Sequence, residues 1–212
     1  FNPGTVVRPP RMDERDLFRF KPGYHEEPLQ TALDWTEWGG FLGAAEMCNN
    51  NGTCRKMAPD VMCPSFRVTQ DEQHVTRGRA NTLRLALSGQ LGPDAISSEE
   101  MRETLDLCVG CKGCRRECPT GVDMAKMKIE TLYHYHKRHG WSLKDRLIAN
   151  LPRYAKWGAL FAPLLNLHGL LPGTGWLGEK LAGFHRERSL PRWAGNPFRT
   201  VEAGEWPISV GG

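Results

Sequence analysis

The sequence predicts a mainly helical fold, with two cysteine-bearing loops, an extended N-terminal arm and a helical C-terminal extension. Three observations lead there. Several stretches carry apolar residues at helical spacing, none alternates as a strand would, and 23 Gly with 15 Pro cut the chain into short elements. Forty per cent of the 212 residues are hydrophobic. No run of 18 apolar residues occurs, so nothing reads as a membrane span.

Residues 1–33 are rich in Pro, Gly and charge and read as an extended arm. The opening FNPGTVVRPP starts at Phe1 and lacks the charged start and apolar middle of a signal peptide. It reads as a fragment or a processed chain. Residues 34–140 form the expected helical domain. Thr31 to Asp34 resembles a helix start, and the stretch to Met47 gathers Trp35, Trp38, Phe41 and Leu42. Residues 49–68 are loop-like, with Asn49-Asn50-Asn51-Gly52 as turn chemistry. Thr69 with Glu72 is a capping box opening a helix to about Ser88, with Ala80, Leu83 and Leu87 inward and Gly89 as the stop.

Ser97 with Glu100 repeats the capping box. Met101, Leu105 and Cys108 then follow at i, i+4 and i+7, so this helix is expected to deliver Cys108 from its core face. A third helix, from about Val122 to His139, sets Ala125, Ile129, Leu132, Tyr133 and His136 on one side. Residues 141–212 read as a docking extension. Its amphipathic pieces are broken at Pro152, Pro163, Pro172 and Gly173, and it is irregular beyond Pro191.

The net charge of +4 is unevenly spread: residues 1–106 carry 12 basic against 16 acidic residues, and residues 107–212 carry 16 against 8. The basic half suits an acidic partner surface or an anionic membrane face, and equally a plain solvated surface. Nucleic-acid binding is not expected, because there is no groove-reading motif and no interleaving of aromatic with basic residues.

Seven cysteines is an odd number for a disulfide framework. They fall in two groups, Cys48/Cys54/Cys63 and Cys108/Cys111/Cys114/Cys118. Thiols grouped so tightly indicate a metal site in a reducing compartment, so the cytoplasm is expected, with the inner face of the membrane as a variant. The second group, followed by Pro119, spells C-x2-C-x2-C-x3-C-P. Three thiolates two residues apart can wrap one iron–sulfur cube, with Gly110 and Gly113 easing the backbone's approach, while the fourth points to a neighbouring cluster. Zinc motifs favour two paired C-x2-C units instead.

The first group fits the same template with changes. Cys48 and Cys54 are its first and third ligands, Asn51 stands in the middle position, and Cys63-Pro64 matches the closing pair. Eight residues separate Cys54 from Cys63 where the template has three. Pairing by the ferredoxin crossover gives Cys63, Cys108, Cys111 and Cys114 for a 4Fe–4S cluster. Cys48, Cys54 and Cys118 then hold a 3Fe–4S cluster, or a labile 4Fe–4S cluster with Asn51 as a weak ligand. The rival pairing is sequential, with 108/111/114/118 for one cluster and 48/54/63 for the other.

The C-x5-C group beside the four-cysteine motif resembles the helical ferredoxin domain of the succinate dehydrogenase iron–sulfur subunit. The strings MCNNNGTCRK, VMCPSFRVTQDEQHVTRGRANTLRLALSG and ETLDLCVGCKGCRRECPTGVDMAKMK are more similar still to the iron–sulfur portion of bacterial FAD-binding and Fe–S-binding oxidoreductases. These are relatives of D-lactate, D-2-hydroxyglutarate and glycolate dehydrogenases, and the likeness covers about residues 1–155. It implies a flavin domain before this segment, ending in something like FNPGTVV, and often a further cysteine-rich domain after it. FAD would belong to the parent protein and not to this segment. The partners implied are that flavin domain or subunit and a downstream cysteine-rich or quinone-linked acceptor. The function implied is relay of single electrons from reduced flavin, with no catalytic residue in this chain; a structural or redox-sensing module is the alternative.

Other residues have plainer readings. His74, Arg77, Arg79 and Arg84 share a helix after Cys63 and would raise a nearby cluster's potential, but the pattern favours a solvated helix face. Lys112, Arg115 and Arg116, inside the cluster loop, are expected to act on a cluster electrostatically. His134, His136 and His139 lack a completing carboxylate and read as surface and core histidines. The apolar stretch 157–171 could lie on a membrane surface as a peripheral contact, but docking against another domain is the expected role.

Overall fold

The computed structural model describes residues 2–18, 20, 22–57, 61–167, 173–188 and 190–195. Among these residues the regular structure is helical, with no strand and one isolated bridge between Pro3 and Val7. The chain divides into two compact units, Phe1–Gly140 and Trp141–Gly212.

Among the described residues the first unit holds six α-helices: α1 (Phe41–Glu46), α2 (Pro64–Thr69), α3 (Thr76–Leu87), α4 (Glu99–Asp106), α5 (Gly113–Glu117) and α6 (Met124–His139). α3 packs on α1, α4 and α6, which makes it the central element. Trp35, Phe41 and Leu42 are buried as expected, and the Trp35 and Phe41 rings stack with centroids 4.6 Å apart. No helix starts at Thr31, however. The Asp34 carboxylate accepts from Thr36 N at 2.9 Å and closes a local turn. Gly39 and Gly40 then adopt φ of 72° and 127°, which breaks the chain just before α1.

The helix expected over 69–88 begins only at Thr76, as α3, and the stretch 49–68 expected as loop ends in a helix of its own, α2. Pro64 starts α2 directly after Cys63, and Thr69 is its last residue, with its hydroxyl donating back to Ser65 O at 3.1 Å. Asp71, rather than Thr69, caps the following turn by accepting from Gln73 N. The inward set Ala80, Leu83 and Leu87 is buried, and α3 stops two residues before Gly89.

α4 also starts one residue later than expected, because Ser98 accepts from Met101 N at 3.1 Å while the Ser97 hydroxyl donates to Asp94 O. It ends at Asp106, so Cys108 leaves from the loop beyond the helix, held by its N–H to Leu105 O at 3.0 Å.

The α6 face differs most. Ala125 is buried, but Ile129 and Tyr133 are exposed, and the inward positions are Met124, Met127, Glu130, Thr131 and His134. Glu130 can face inward because backbone and side-chain donors from residues 32–35 and from His134 satisfy its carboxylate.

The second unit contains α7 (Leu143–Ala149), α8 (Leu151–Leu160), α9 (Ala162–Asn166) and α10 (Thr174–Ala182). Pro152 and Pro163 sit in the first turns of α8 and α9, where the missing N–H costs nothing. The Asn166 carboxamide donates to Trp193 O and accepts from Trp193 N, tying the later segment to α9. Of the apolar stretch, Trp157, Leu160, Phe161 and Leu164 are exposed, whereas residues 168–171, the break at Pro172 and the tail from 196 onward lie outside the described residues. No helix among the described residues is long and apolar enough to cross a membrane.

Candidate metal centre

Cys63, Cys108, Cys111 and Cys114 line one narrow cavity, together with Thr76 and Arg79. Two loops bring them there. The first carries Cys63 in a left-handed conformation (φ 50°), an uncommon geometry for a side-chain-bearing residue, with Pro64 turning the chain at once into α2. The second follows α4, turns at Gly110 (φ 65°) and Lys112 (φ 58°), and enters α5 at Gly113. A Cβ at Gly113 would stand 3.2 Å from the Val61 side chain and 3.3 Å from its backbone, tighter than an ordinary contact, so the two loops lie close together at this glycine.

A residue that sequence reasoning missed ties these loops together. The Glu117 carboxylate accepts from Val61 N at 3.0 Å and from Met62 N at 2.9 Å, directly before Cys63. Glu117 lies in the three-residue gap between Cys114 and Cys118, where the spacing alone marks only the cysteines. On the other side of Cys63, Thr76 N donates to its sulfur at 3.1 Å and the Thr76 hydroxyl lies 2.8 Å from it.

Cys48 and Cys54 are buried and lie within electrostatic reach of each other, and Cys54 is also within reach of Cys63. Asn51 serves the turn: its oxygen accepts from Thr53 N at 2.8 Å and its NH2 donates to Asn49 at 2.6 Å. The carboxamide beside the Cys48 sulfur is that of Asn50, 3.7 Å away, which also accepts from Asn81 at 2.8 Å. Cys118, half-buried, has its sulfur 3.2 Å from the Thr120 hydroxyl.

The thiols fall into two electrostatic classes. Burial pushes Cys54 and Cys114 up to about 11, and nearby cysteines add to the shift. Burial also raises Cys63. For Cys118 burial acts upward too, but the Thr120 hydroxyl and the N–H groups of Val122, Thr120 and Gly121 overcome it and lower the pKa. No disulfide joins any of the seven cysteines. Soft sulfur donors brought together in a partly buried pocket suit a site whose cation supplies the missing positive charge and takes the protons' place. Among the described residues, no three Cys, His, Asp or Glu side chains converge as they do on a single ion. Four cysteines spread around one cavity fit a polynuclear group.

The basic residues separate as well. The solvated-face reading of α3 is overturned for Arg79 and Arg84, which are buried at 2% and 8% exposure. Arg79 Nε donates to Thr104 O at 3.0 Å and Nη2 to the Ser65 hydroxyl at 3.1 Å, while Arg84 lies over the rings of Phe20 and Tyr24. Arg77, nearer solvent, pairs with Glu72 at 2.6 Å. Lys112 is paired with Asp123 at 3.5 Å and Arg115 with Glu37 at 3.3 Å; Arg116 is exposed. Lys128, half-buried, donates to the carbonyls of Asp106 and Cys108. His134 pairs with Glu130, His136 faces Gly140 O and His139 faces Ser97 O.

Residues 44–122 match the family described as the 4Fe-4S dicluster domain. This segment is a 4Fe-4S dicluster domain. The chain around it is similar to D-2-hydroxyglutarate dehydrogenase of Pseudomonas putida KT2440, 28% identical over 186 residues, covering 73% of this chain and 18% of the relative. It is likewise similar to the Escherichia coli K12 protein of that name, 27% identical over 219 residues, 86% of this chain and 21% of the relative. A probable glycolate oxidase iron-sulfur subunit of Bacillus subtilis 168 is 30% identical over 103 residues, 48% of this chain and 21% of the relative. The chain thus spans about a fifth of the length of these curated relatives. The dicluster domain and these relatives support its resemblance to the iron–sulfur portion of such oxidoreductases. No solved structure matches the chain significantly.

Proposed function

We propose that the dicluster domain is an electron-transfer module of a flavin-linked 2-hydroxy-acid dehydrogenase. In this reading Cys63, Cys108, Cys111 and Cys114 hold one 4Fe–4S cluster. Cys48, Cys54 and Cys118 hold the second, a 3Fe–4S cluster or a 4Fe–4S cluster with one labile iron. The observation that carries the reading is the single cavity lined by Cys63 and the first three cysteines of the later motif. The bound groups supply reversible one-electron chemistry, matched to a flavin that receives two electrons at once.

The chain's own residues do the rest. Glu117 and Gly113 bring the Cys63 loop against α5, and the hydroxyl and N–H of Thr76 stand against the Cys63 sulfur, so its orientation does not depend on ligation alone. Cys111 is exposed and Cys108 partly so, which leaves an edge of the site open to a partner. The hydroxy acid would be oxidised on a flavin domain or subunit, with electrons leaving to a cysteine-rich or quinone-linked acceptor on the cytoplasmic side. The relatives' names, D-2-hydroxyglutarate dehydrogenase and glycolate oxidase iron-sulfur subunit, support the hydroxy-acid part of that reading.

Anaerobically reconstituted chain, titrated electrochemically under EPR, tests this. Two reversible one-electron couples within reach of a flavin are expected, with no turnover of D-2-hydroxyglutarate by the chain alone. Clusters silent across that range, or turnover without a flavin partner, would refute it. Oxidised protein should also show the paramagnetic three-iron signal; silence at full iron content contradicts the three-iron assignment.

A further inference from the structure

Arg79 is the most deeply buried charge on α3, at 2% exposure, and it lines the same cavity as Cys63, Cys108, Cys111 and Cys114. Its hydrogen bonds go to neutral acceptors, Thr104 O and the Ser65 hydroxyl, which use two of its five N–H groups. It forms no ion pair with a carboxylate among the described residues. Burial lowers its pKa, and the groups that act in the opposite direction are the cysteines of the same cavity, Cys108, Cys63 and Cys114, which are anionic only as cluster ligands. A guanidinium this deep normally has an anion of its own, because an unpaired buried charge is costly.

Arg77 gives the contrast. It stands two positions away, within reach of Cys54 and Cys48, but it is bonded to Glu72 at 2.6 Å, and Arg55 approaches the same carboxylate at 3.6 Å. Arg77, on the Cys48/Cys54 side, therefore has a carboxylate partner within the protein, shared with Arg55, whereas Arg79 on the Cys63 side has none among the described residues.

We propose that Arg79 is the buried counter-ion of the Cys63/Cys108/Cys111/Cys114 site and selectively raises the reduction potential of the cluster held there, an inference that rests on the ligand set proposed above. Each electron added to that site makes it more negative, and a fixed positive charge in a low-dielectric pocket favours the reduced form. The effect belongs to one of the two sites because Arg77, its counterpart at the other, carries its own carboxylate. It also resists salt, since a buried charge is screened far less than the surface cations Lys112 and Arg115.

The test is a redox titration of the reconstituted chain carrying Arg79→Gln, Arg79→Lys or Arg77→Gln, followed by EPR. Arg79→Gln should lower the midpoint of one couple by at least a tenfold change in its one-electron equilibrium, about 59 mV. The second couple should not move, and the shift should persist in 1 M salt. Arg79→Lys should restore most of the wild-type value, and Arg77→Gln should leave the Cys63-side couple in place. If Arg79→Gln loads no cluster, iron content decides: loading restored by lysine supports a required charge, and equal loss in both variants overturns it. Two intact couples in Arg79→Gln at wild-type potentials overturn the inference while leaving the ligand assignment standing. A wild-type chain that holds no cluster would remove both.

Discussion

Glu130 is wholly buried and each of its oxygens is used. Oε1 accepts from Ala32 N at 2.8 Å and faces His134 Nε2 at 3.1 Å, while Oε2 accepts from Leu33 N at 2.9 Å and Trp35 Nε1 at 3.0 Å. Burial pushes its pKa up, but the N–H groups and His134 outweigh it and hold the carboxyl below its ordinary 4.5. A depressed folded-state pKa contributes stability that is present above the unfolded value and is lost as pH falls through the folded one. Glu130→Gln, which turns an NH2 group toward N–H donors, should cost about 2–4 kcal/mol at neutral pH. The gap to the wild type should narrow as pH falls below 4.5. Denaturant melts at several pH values check both; equal stability at pH 7 contradicts the account. Little local in the sequence marks Glu130, because three of its four partners lie 95 to 98 positions upstream. Ile129 looked like the inward residue, since helical periodicity rewards apolar side chains and cannot register a carboxylate that the arm satisfies. Asn50 was hidden similarly: the template fixes attention on position 51, whereas the left-handed backbone at Asn50 (φ 64°) turns a different carboxamide toward Cys48.

At the scale of elements, the cysteine motif was legible because three thiols spaced by two residues are a local property of one loop. The route of the Cys63 segment was not. Eight residues separate it from Cys54, and what holds it is Glu117 at the end of α5, a contact over 55 residues. Helix starts were legible in kind and misplaced by a residue or two, since Ser97 and Ser98 both carry capping hydroxyls and only the backbone at Ser98 presents its own to Met101 N. Glu117→Ala should cost about 1–3 kcal/mol through two unpaired N–H groups. More diagnostically, it should speed loss of iron to a chelator from the Cys63-side site while sparing the other. Stopped-flow chelation read against the two EPR signals checks this, and unchanged release from both sites, or equal acceleration at both, speaks against a clamp.

Across the whole first unit, Cys48, Cys54, Cys63 and Cys114 belong to one continuous core, with Cys108 and Cys118 packed against it. The proposed metal sites would thus be part of the packing, and metal binding free energy would become folding free energy. The helical class was legible from periodicity and punctuation. The joining of the two cysteine groups through the core was beyond any local pattern, because it depends on how α3 meets α1, α4 and α6. Ligand sharing between distant segments is the account's central claim, and Cys63 is where it can fail, since this thiol is within electrostatic reach of both Cys54 and Cys108. The most direct measurement is EPR of reconstituted Cys63→Ser beside Cys111→Ser and Cys54→Ser. Cys63→Ser should alter or abolish the signal that Cys111→Ser affects and leave the signal that depends on Cys54 intact. Loss of the Cys54-dependent signal, with the Cys111-dependent one unchanged, would contradict it.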